Sequence, residues 1–133
     1  MTFYEELHEK LYTGHEIIDK QHQDIARSVA LFYDHLINKH HKQTILGFLN
    51  NSLNLTEAHF LYEEEQMDKT QFIMKHQHKS QHENYLNEIR KMIKDMETDQ
   101  LDDMQKIGKI IKNWVFNHII GMDRKLVEHL LII

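Results

Sequence analysis

Cysteine and proline are both missing from this sequence, and glycine is scarce. The 133 residues contain no Cys, no Pro and only four Gly. Without Cys, the chain can form no disulfide, no thiolate metal site and no cysteine nucleophile. Because Pro and Gly are the residues that most often interrupt a helix, their scarcity favours long helices.

Long apolar runs and a strong positive charge are missing as well. No apolar stretch approaches the ~20 residues that cross a bilayer, and the acidic, polar N-terminus does not resemble a signal peptide. The formal net charge is −5 and the Lys residues are dispersed, which argues against nucleic-acid binding. We therefore expect a soluble, cytoplasmic protein without a membrane or nucleic-acid partner. Its length fits one domain spanning residues 1–133.

Apolar residues recur every three to four positions, which is the spacing of amphipathic helices. Four such segments follow an N-terminal arm of residues 1–16. Polar stretches separate the segments: NKHHKQ after the first, DKTQ after the second and ETDQLDD after the third. Short connections favour antiparallel neighbours. The predicted fold is therefore all-α, an antiparallel up-down-up-down four-helix bundle over residues 17–133.

Several local expectations accompany this fold. Asp19 is the expected cap of the first bundle helix, and Thr98 or Asp99 that of the fourth. The aromatic residues of the arm are expected to pack it against the bundle; they are Phe3, Tyr4 and Tyr12.

Twelve His residues are the most unusual feature of the sequence. Five lie on the apolar helix faces, where a polar side chain costs free energy unless it finds partners; they are His22, His59, His78, His82 and His118. In an antiparallel bundle these positions fall at the same end of the core, so the five rings should converge. Imidazoles brought together without Cys indicate a metal site. The other seven His are assigned to exposed or structural positions.

Two carboxylates could join the five rings. Glu63 follows His59 by four residues and shares its helix face, whereas Glu64 and Glu65 turn away and are assigned to the surface. Asp123 follows His118 by five residues, and at about 100° per residue it overshoots the shared face by roughly 140°. Two alternatives stay open for Asp123: an exposed side chain, or an inward one on a wider turn permitted by Gly121.

With these His and carboxylate positions, the chain resembles the hemerythrins, in particular the single-domain bacterial hemerythrins. The motifs that carry the resemblance are GHEIIDKQH ending at His22, HFLYEEEQM with His59 and Glu63, HKSQH with His78 and His82, and WVFNHIIGMD with Trp114, His118 and Asp123. The resemblance implies two non-haem iron ions (Fe2+/Fe3+). It implies that His78, His82 and His118 bind one iron, and that His22 and His59 bind the other. Glu63 and Asp123 would bridge both, together with an oxo or hydroxo group.

The implied function is reversible dioxygen binding by a carrier, store or buffer. The iron held by three His has six ligands, whereas the one held by two His has five and one open position. By the resemblance, dioxygen binds there as a hydroperoxide, and nitric oxide is a second candidate ligand. Four residues beside the ligands are expected to border the oxygen pocket, and they are also ordinary core residues: Ile25, Phe60, Trp114 and Val115. Val115 stands where a larger Leu is common in the family.

Alternative functions are a sensing module for oxygen, nitric oxide or redox state, and a di-iron oxidase or peroxidase. Sensors usually carry a fused output domain. Carboxylate-rich di-iron bundles use Glu-x-x-His pairs, and this pattern occurs here from Glu5 to His8, in the arm. The imidazole-rich donor set therefore favours binding, and no enzymatic activity is expected. Zinc or manganese stays open because ligand type does not fix the metal. We expect a monomer or a weak homo-oligomer.

Overall fold

A computed structural model of the chain describes residues 3–100 and 105–133. Helices account for most of these residues, and no strand occurs within the two described ranges. The α-helices are α1 (Phe3–Lys10), α2 (Glu16–Ile37), α3 (Lys42–Thr70), α4 (Lys75–Glu97), α5 (Gln105–Trp114) and α6 (Arg124–Ile132), and a π-helix (Val115–Asp123) joins α5 to α6.

The last three segments form one continuous helix. Trp114 and Arg124, at the two junctions of the π-helix, both keep right-handed helical dihedrals. This helix completes a four-helix bundle in which α2 and α4 each contact both α3 and α5. The short connections at 38–41 and 71–74 reverse the direction of the chain between neighbours. The predicted all-α bundle is confirmed.

The core follows the predicted apolar faces closely on α2 and less closely on α3. On α2 all six predicted positions are buried: Ile18, His22, Ile25, Val29, Phe32 and Leu36. On α3 the buried face is shifted, because Leu49 and Leu53 are buried whereas Phe48 and Leu55 are only partly so. Since α3 contacts both α2 and α4, its apolar face is wider than a single line of residues.

The start of α2 differs from the prediction that Asp19 caps it. The N-cap is His15, whose ring Nδ1 accepts a hydrogen bond from the Ile18 backbone N–H. Asp19 lies in the first turn, and its carboxylate accepts hydrogen bonds from the backbone N–H groups of Thr13 and Gly14. The carboxylate thus stabilises the loop before the helix rather than the helix end. A second His, His41, caps α3 in the same way, through the Gln43 backbone N–H.

The arm contains a helix that the sequence analysis did not predict, and it is anchored differently from expectation. Tyr4 packs against the core, but Tyr12 is 72% exposed, so that expectation was wrong for Tyr12. Leu11, only 2% exposed, is the buried anchor instead. Arg124 donates hydrogen bonds to the backbone carbonyls of Lys10 and Tyr12, which ties the arm to the fourth bundle helix. The Phe3 side chain lies outside the described part of the structure.

The expected cap of the fourth helix at Thr98 or Asp99 was also wrong. Thr98 follows the last residue of α4, and its backbone N–H bonds to the Lys94 carbonyl, so it ends α4. Asp99 has a left-handed φ of 56° directly after it. Residues 101–104, which include the end of the predicted ETDQLDD connection, lie outside the described residues. None of the described helices is long and apolar enough to cross a membrane.

Replacing Gln71 by Gly should stabilise the protein. Gln71 ends α3 in the left-handed region, with φ 53° and ψ 49°. A residue with a Cβ is strained there and Gly is not, so we expect Gln71→Gly to add about 1 kcal/mol to the free energy of unfolding. Thermal unfolding followed by circular dichroism should show a Tm about 4 °C higher.

The matched control is Lys91→Gly, at an exposed position in the middle of α4. Glycine inside a helix costs about 1 kcal/mol, so this variant should melt at a lower temperature than the wild type. A lower Tm for both variants would contradict the assignment of strain to Gln71.

Candidate metal centre

The number of donors in the core depends on the direction of the Asp123 side chain, and in the structure this side chain points into the core. The residues from Val115 to Asp123 form a π-helix, in which hydrogen bonds join residues five apart instead of four. Asp123 therefore lies one turn beyond His118 on the same face and is fully buried. Of the two alternatives left open by the spacing, the inward side chain on a wider turn is the one observed. A Cβ added to Gly121 would have no neighbour within 4 Å, so packing there does not require Gly.

The structure brings all seven predicted metal ligands together. Each has a relative exposure of 3% or less; they are His22, His59, Glu63, His78, His82, His118 and Asp123. One possible donor atom from each side chain falls into two overlapping groups, within which all atoms lie less than 4.8 Å apart. The larger group holds His78, His82 and His118, and the smaller holds His22 and His59. Both groups contain Glu63 and Asp123.

The two oxygens of Asp123 face opposite halves of the cluster. Oδ1 lies 2.9 Å from His78 Nε2 and 3.0 Å from His118 Nε2. Oδ2 lies 2.8 Å from His22 Nε2 and 3.1 Å from His59 Nε2. A carboxylate with one oxygen turned to each group of imidazoles has the arrangement of a bridging ligand.

Glu63 spans the two halves from the opposite helix. Its Oε1 is 3.2 Å from His59 Nε2, 3.5 Å from His78 Nε2 and 3.3 Å from His82 Nε2. Glu63 comes from α3 and Asp123 from the π-helix, so the two carboxylates approach the same centre from different elements.

The bonding of these buried atoms fits a metal better than it fits a hydrogen-bond network. Both Glu63 oxygens, His82 Nε2 and His118 Nε2 are buried without a hydrogen-bond partner among the described residues. Buried polar atoms are rarely left unpaired, because the cost is a few kcal/mol each. His82 Nε2 and His118 Nε2 lie 3.3 Å and 3.0 Å from carboxylate oxygens without forming hydrogen bonds to them, as expected of atoms that point towards shared ions.

Three side chains outside the predicted ligand set hold imidazole rings in orientation. Gln21 Oε1 lies 2.6 Å from His59 Nδ1, Gln81 Oε1 lies 2.7 Å from His118 Nδ1, and Glu64 Oε2 lies 3.1 Å from His82 Nδ1. Because an oxygen of this kind accepts, each Nδ1 donates a hydrogen bond outwards, and the neutral form of each ring presents the Nε2 lone pair to the cluster. This is the tautomer that a metal requires.

The assignment of Glu64 to the surface was therefore wrong, whereas Glu65 is exposed as expected. The Glu64 side chain is 30% exposed and reaches around to His82 on the neighbouring helix. Gln21, Glu64 and Gln81 are each adjacent in sequence to a predicted ligand, but each contacts a ligand on the next helix of the bundle. A polar acceptor directly beside a ligand was the only signal that could have found them.

Charges within the cluster offset one another in the absence of a metal. Burial lowers the pKa of His59, but the Glu63 and Asp123 carboxylates outweigh burial and raise this pKa to about 10. The same balance raises the pKa of His78 to about 9. Burial holds the pKa of His118 below its ordinary value. The surrounding His rings, His59 among them, overcome the burial of Glu63 and Asp123 and lower both carboxyl pKa values.

The four residues expected to border an oxygen pocket occupy two kinds of position: two are buried in the apolar core, and two stack on ligand rings. Ile25 and Val115 are buried core residues. Phe60 is also buried and stacks on the His82 ring, with centroids 3.7 Å apart. Trp114 is half-buried and stacks on the His118 ring at 4.2 Å, and it lines a surface groove beside α4. The two aromatic residues thus pack on rings of the three-His group, and the pocket itself stays a prediction.

The remaining His residues that the structure describes have other places. His15 and His41 cap helices, and His129 contacts Thr70. His35 and His40 contact each other at the far end of α2, and His76 is exposed. None of them belongs to a buried donor group within residues 3–100 and 105–133.

Removing Glu63 should abolish metal binding, whereas removing Glu65 should not. Glu63 contributes to both donor groups, while Glu65 is exposed and pairs with Lys69. We expect Glu63→Ala to retain less than a tenth of the wild-type metal per chain, since ligand loss costs more than the 10–100-fold typical of outer partners. Glu65→Ala is the control and should keep its full content. Metal analysis after dialysis measures both, and equal contents would contradict the assignment.

Metal uptake should release protons at neutral pH. With pKa values of about 10 and 9, His59 and His78 are protonated in the metal-free protein at pH 7 and must lose those protons to bind a metal. We expect about two protons per fully loaded chain, and an apparent affinity that rises with pH up to about 10. Titration with Zn2+ in weakly buffered solution, followed with a pH indicator, measures the release. A release that did not decline above pH 10 would contradict the assignment.

Comparison with known proteins gives three informative relatives, each named bacteriohemerythrin. The protein from Pseudomonas paraeruginosa is 26% identical over 118 residues, that from Pseudomonas aeruginosa 25% over 118, and that from Stenotrophomonas maltophilia 24% over 119. Each alignment covers 89% of this chain and 76% of the relative. No family model and no solved structure matches the chain. The alignments extend over nearly the whole bundle, and the buried His, Glu and Asp side chains of this chain form donor groups that could hold a metal, so the chain is similar in sequence to the bacteriohemerythrins and contains a candidate metal site.

Proposed function

We propose that this protein holds two iron ions at the buried centre and binds a diatomic gas there reversibly, dioxygen in the first place. The observation that supports this most directly is the unequal division of donors. Glu63 and Asp123 belong to both donor groups, yet one group has three imidazoles and the other has two. A centre built in this way is unequal before any gas arrives.

The side chains that would hold the irons are those of the two groups. His78, His82 and His118 would bind one ion, and His22 and His59 the other. Two irons held in this way would supply one open coordination position, on the side of the two imidazoles, and the electrons for reversible gas binding. The name of the relatives supports iron as the metal, and the imidazole and carboxylate donors fit it.

The chain's own contribution is to orient the donors and to keep water out. Gln21 Oε1 accepts a hydrogen bond from His59 Nδ1–H, so that His59 Nε2 faces the centre. Ile25, Phe60 and Val115 are each at most 3% exposed, and Phe60 covers one face of the His82 ring with apolar surface. An apolar surrounding slows the entry of water and protons, which would turn reversible binding into irreversible oxidation.

We also propose that the protein binds its gas without activating it as an enzyme. In the described residues, every buried carboxylate and every buried imidazole is one of the seven donors. The remaining buried acid is the phenol of Tyr85, which stacks on Trp114 and whose pKa burial raises. General acid catalysis needs a positioned group that gives up its proton near the working pH. The scarcity of such a group supports a carrier, store or buffer over an oxidase or peroxidase.

Iron content and an oxygen titration together test this function. The purified protein should contain two irons per chain. After anaerobic reduction, admitting oxygen should produce a visible charge-transfer band that disappears when oxygen is removed. Two zinc ions and no spectral change would overturn the proposal. A reversible spectral change with nitric oxide but not with oxygen would identify nitric oxide, instead of dioxygen, as the ligand. Steady oxygen consumption with a reductant, well above the autoxidation rate, would make the protein an enzyme.

Enlarging Val115 should slow autoxidation. Val115 is 1% exposed and lies three residues before His118, in a position where the hemerythrins often have Leu. Val115→Leu adds one methylene beside the centre and should lower the autoxidation rate by roughly the few-fold that ~1 kcal/mol represents. The decay of the oxygenated spectrum measures this rate. Tm is recorded in parallel, because overpacking costs 1–3 kcal/mol if the core cannot adjust. An unchanged rate in a variant with wild-type Tm would contradict the role of Val115.

A further inference from the structure

The ring of His82 lies between two consecutive carboxylates of α3. Glu63 Oε1 is 3.3 Å from His82 Nε2, and Glu64 Oε2 is 3.1 Å from His82 Nδ1. Phe60 stacks on the face of the same ring, nearly parallel to it at 7°. The ring is therefore hydrogen-bonded at Nδ1, stacked on one face and close to a carboxylate at Nε2, through three residues of one helix.

The outer partner of His82 differs in charge from the outer partners of the other rings. His59 and His118 contact the neutral amides of Gln21 and Gln81. His22 Nδ1 and His78 Nδ1 have no hydrogen-bond partner among the described residues. Glu64 is thus the one carboxylate found at an outer imidazole nitrogen within residues 3–100 and 105–133, and it belongs to the three-His side.

A carboxylate at this place has an electronic consequence that an amide lacks. It draws the Nδ1 proton towards itself, which makes Nε2 a stronger donor to a bound metal. Its negative charge also favours the higher positive charge of a ferric ion over a ferrous ion: the His82 ring is 2% exposed, and water screens only part of the charge of the 30% exposed Glu64 side chain. Both effects favour the oxidised metal on the side of His78, His82 and His118.

We propose that Glu64 is a positioning residue that acts through His82 to lower the reduction potential of the iron held by three imidazoles. This inference rests on the proposed di-iron function and adds a division of labour to it. The side with the open position has a neutral amide as its outer partner, at Gln21. The side without one has the anionic outer partner, so it is the side on which the chain stabilises the higher oxidation state.

The test compares variants that separate charge from hydrogen bonding. Glu64→Gln keeps an acceptor near His82 Nδ1 but removes the charge. Glu64→Leu removes both. Gln81→Glu places a charge at His118, on the same side of the centre. Glu65→Gln is the matched control, because it removes the same charge one residue further along, from a side chain that is exposed and pairs with Lys69.

The reduction potential of the iron-loaded protein is the main readout, measured by spectroelectrochemistry. Loss of an outer partner changes metal affinity 10–100-fold, so Glu64→Gln should weaken the preference for ferric over ferrous iron about tenfold. That change corresponds to a potential about 59 mV higher for one electron. Gln81→Glu should shift the potential downward, and Glu65→Gln should leave it at the wild-type value.

The hydrogen bond itself is checked in zinc-loaded protein, where no redox change intervenes. The Nδ1–H signal of His82 in 15N-edited NMR spectra should persist in the wild type and in Glu64→Gln, and should exchange with water in Glu64→Leu. A purely structural role predicts that Glu64→Gln keeps both this signal and the wild-type potential, and that result would overturn the proposal. Equal shifts in Glu64→Gln and Glu65→Gln would overturn it as well.

Two further outcomes are decisive. If Glu64→Gln does not retain iron, the reduction potential of Gln81→Glu is the deciding measurement. A wild-type potential in Gln81→Glu would then overturn the proposal. If the wild type holds iron but binds no gas reversibly, the proposed function falls, while the potentials of the variants still establish or overturn the role of Glu64.

Discussion

Two buried carboxylates facing one another across the core are the constraint on which this structure depends. Glu63 and Asp123 are both fully buried and share the same imidazole neighbours. Carboxylates in such a place are costly unless positive charge accompanies them, and in the metal-free protein the protons on His59 and His78 supply it. Metal ions would replace those protons. Positive charge thus accompanies the two carboxylates in both states.

The same constraint explains the irregular fourth helix. An unbroken α-helix would turn Asp123 away from His118, and the centre would lose the carboxylate whose two oxygens face both donor groups. The π-helix from Val115 to Asp123 gives up regular hydrogen bonding in exchange for that placement. The helix continues without a break on either side, into α5 and α6. The irregularity is confined to the stretch that contains two of the donors.

The sequence predicts features that depend on helical periodicity. It misses contacts that depend on loop conformation or on the length of a side chain. The inward faces of α2 and the five converging His residues follow from helical spacing, which fixes direction whatever the neighbours are. The spacing from His118 to Asp123 shows that Asp123 can face inward only on a wider helical turn. Spacing alone does not decide whether the helix forms such a turn. Leu11 lies in the loop before α2, and Asp19 forms hydrogen bonds to that loop, where the sequence has no periodic pattern. Glu64 was misplaced because its backbone does point away from the core, while its long side chain returns to a ring on the next helix.

The outer partners show how an unequal centre arises in a bundle whose helices are otherwise alike. Gln21 on α2 contacts His59 on α3, Glu64 on α3 contacts His82 on α4, and Gln81 on α4 contacts His118 on the fourth bundle helix. Each helix orients a ring of the next one, so the rings depend on the packing of the whole bundle and not on their own helix alone. Within this repeated arrangement one partner carries a charge and two do not. The single charged partner therefore adds a difference in charge to the difference in imidazole number between the two halves of the centre.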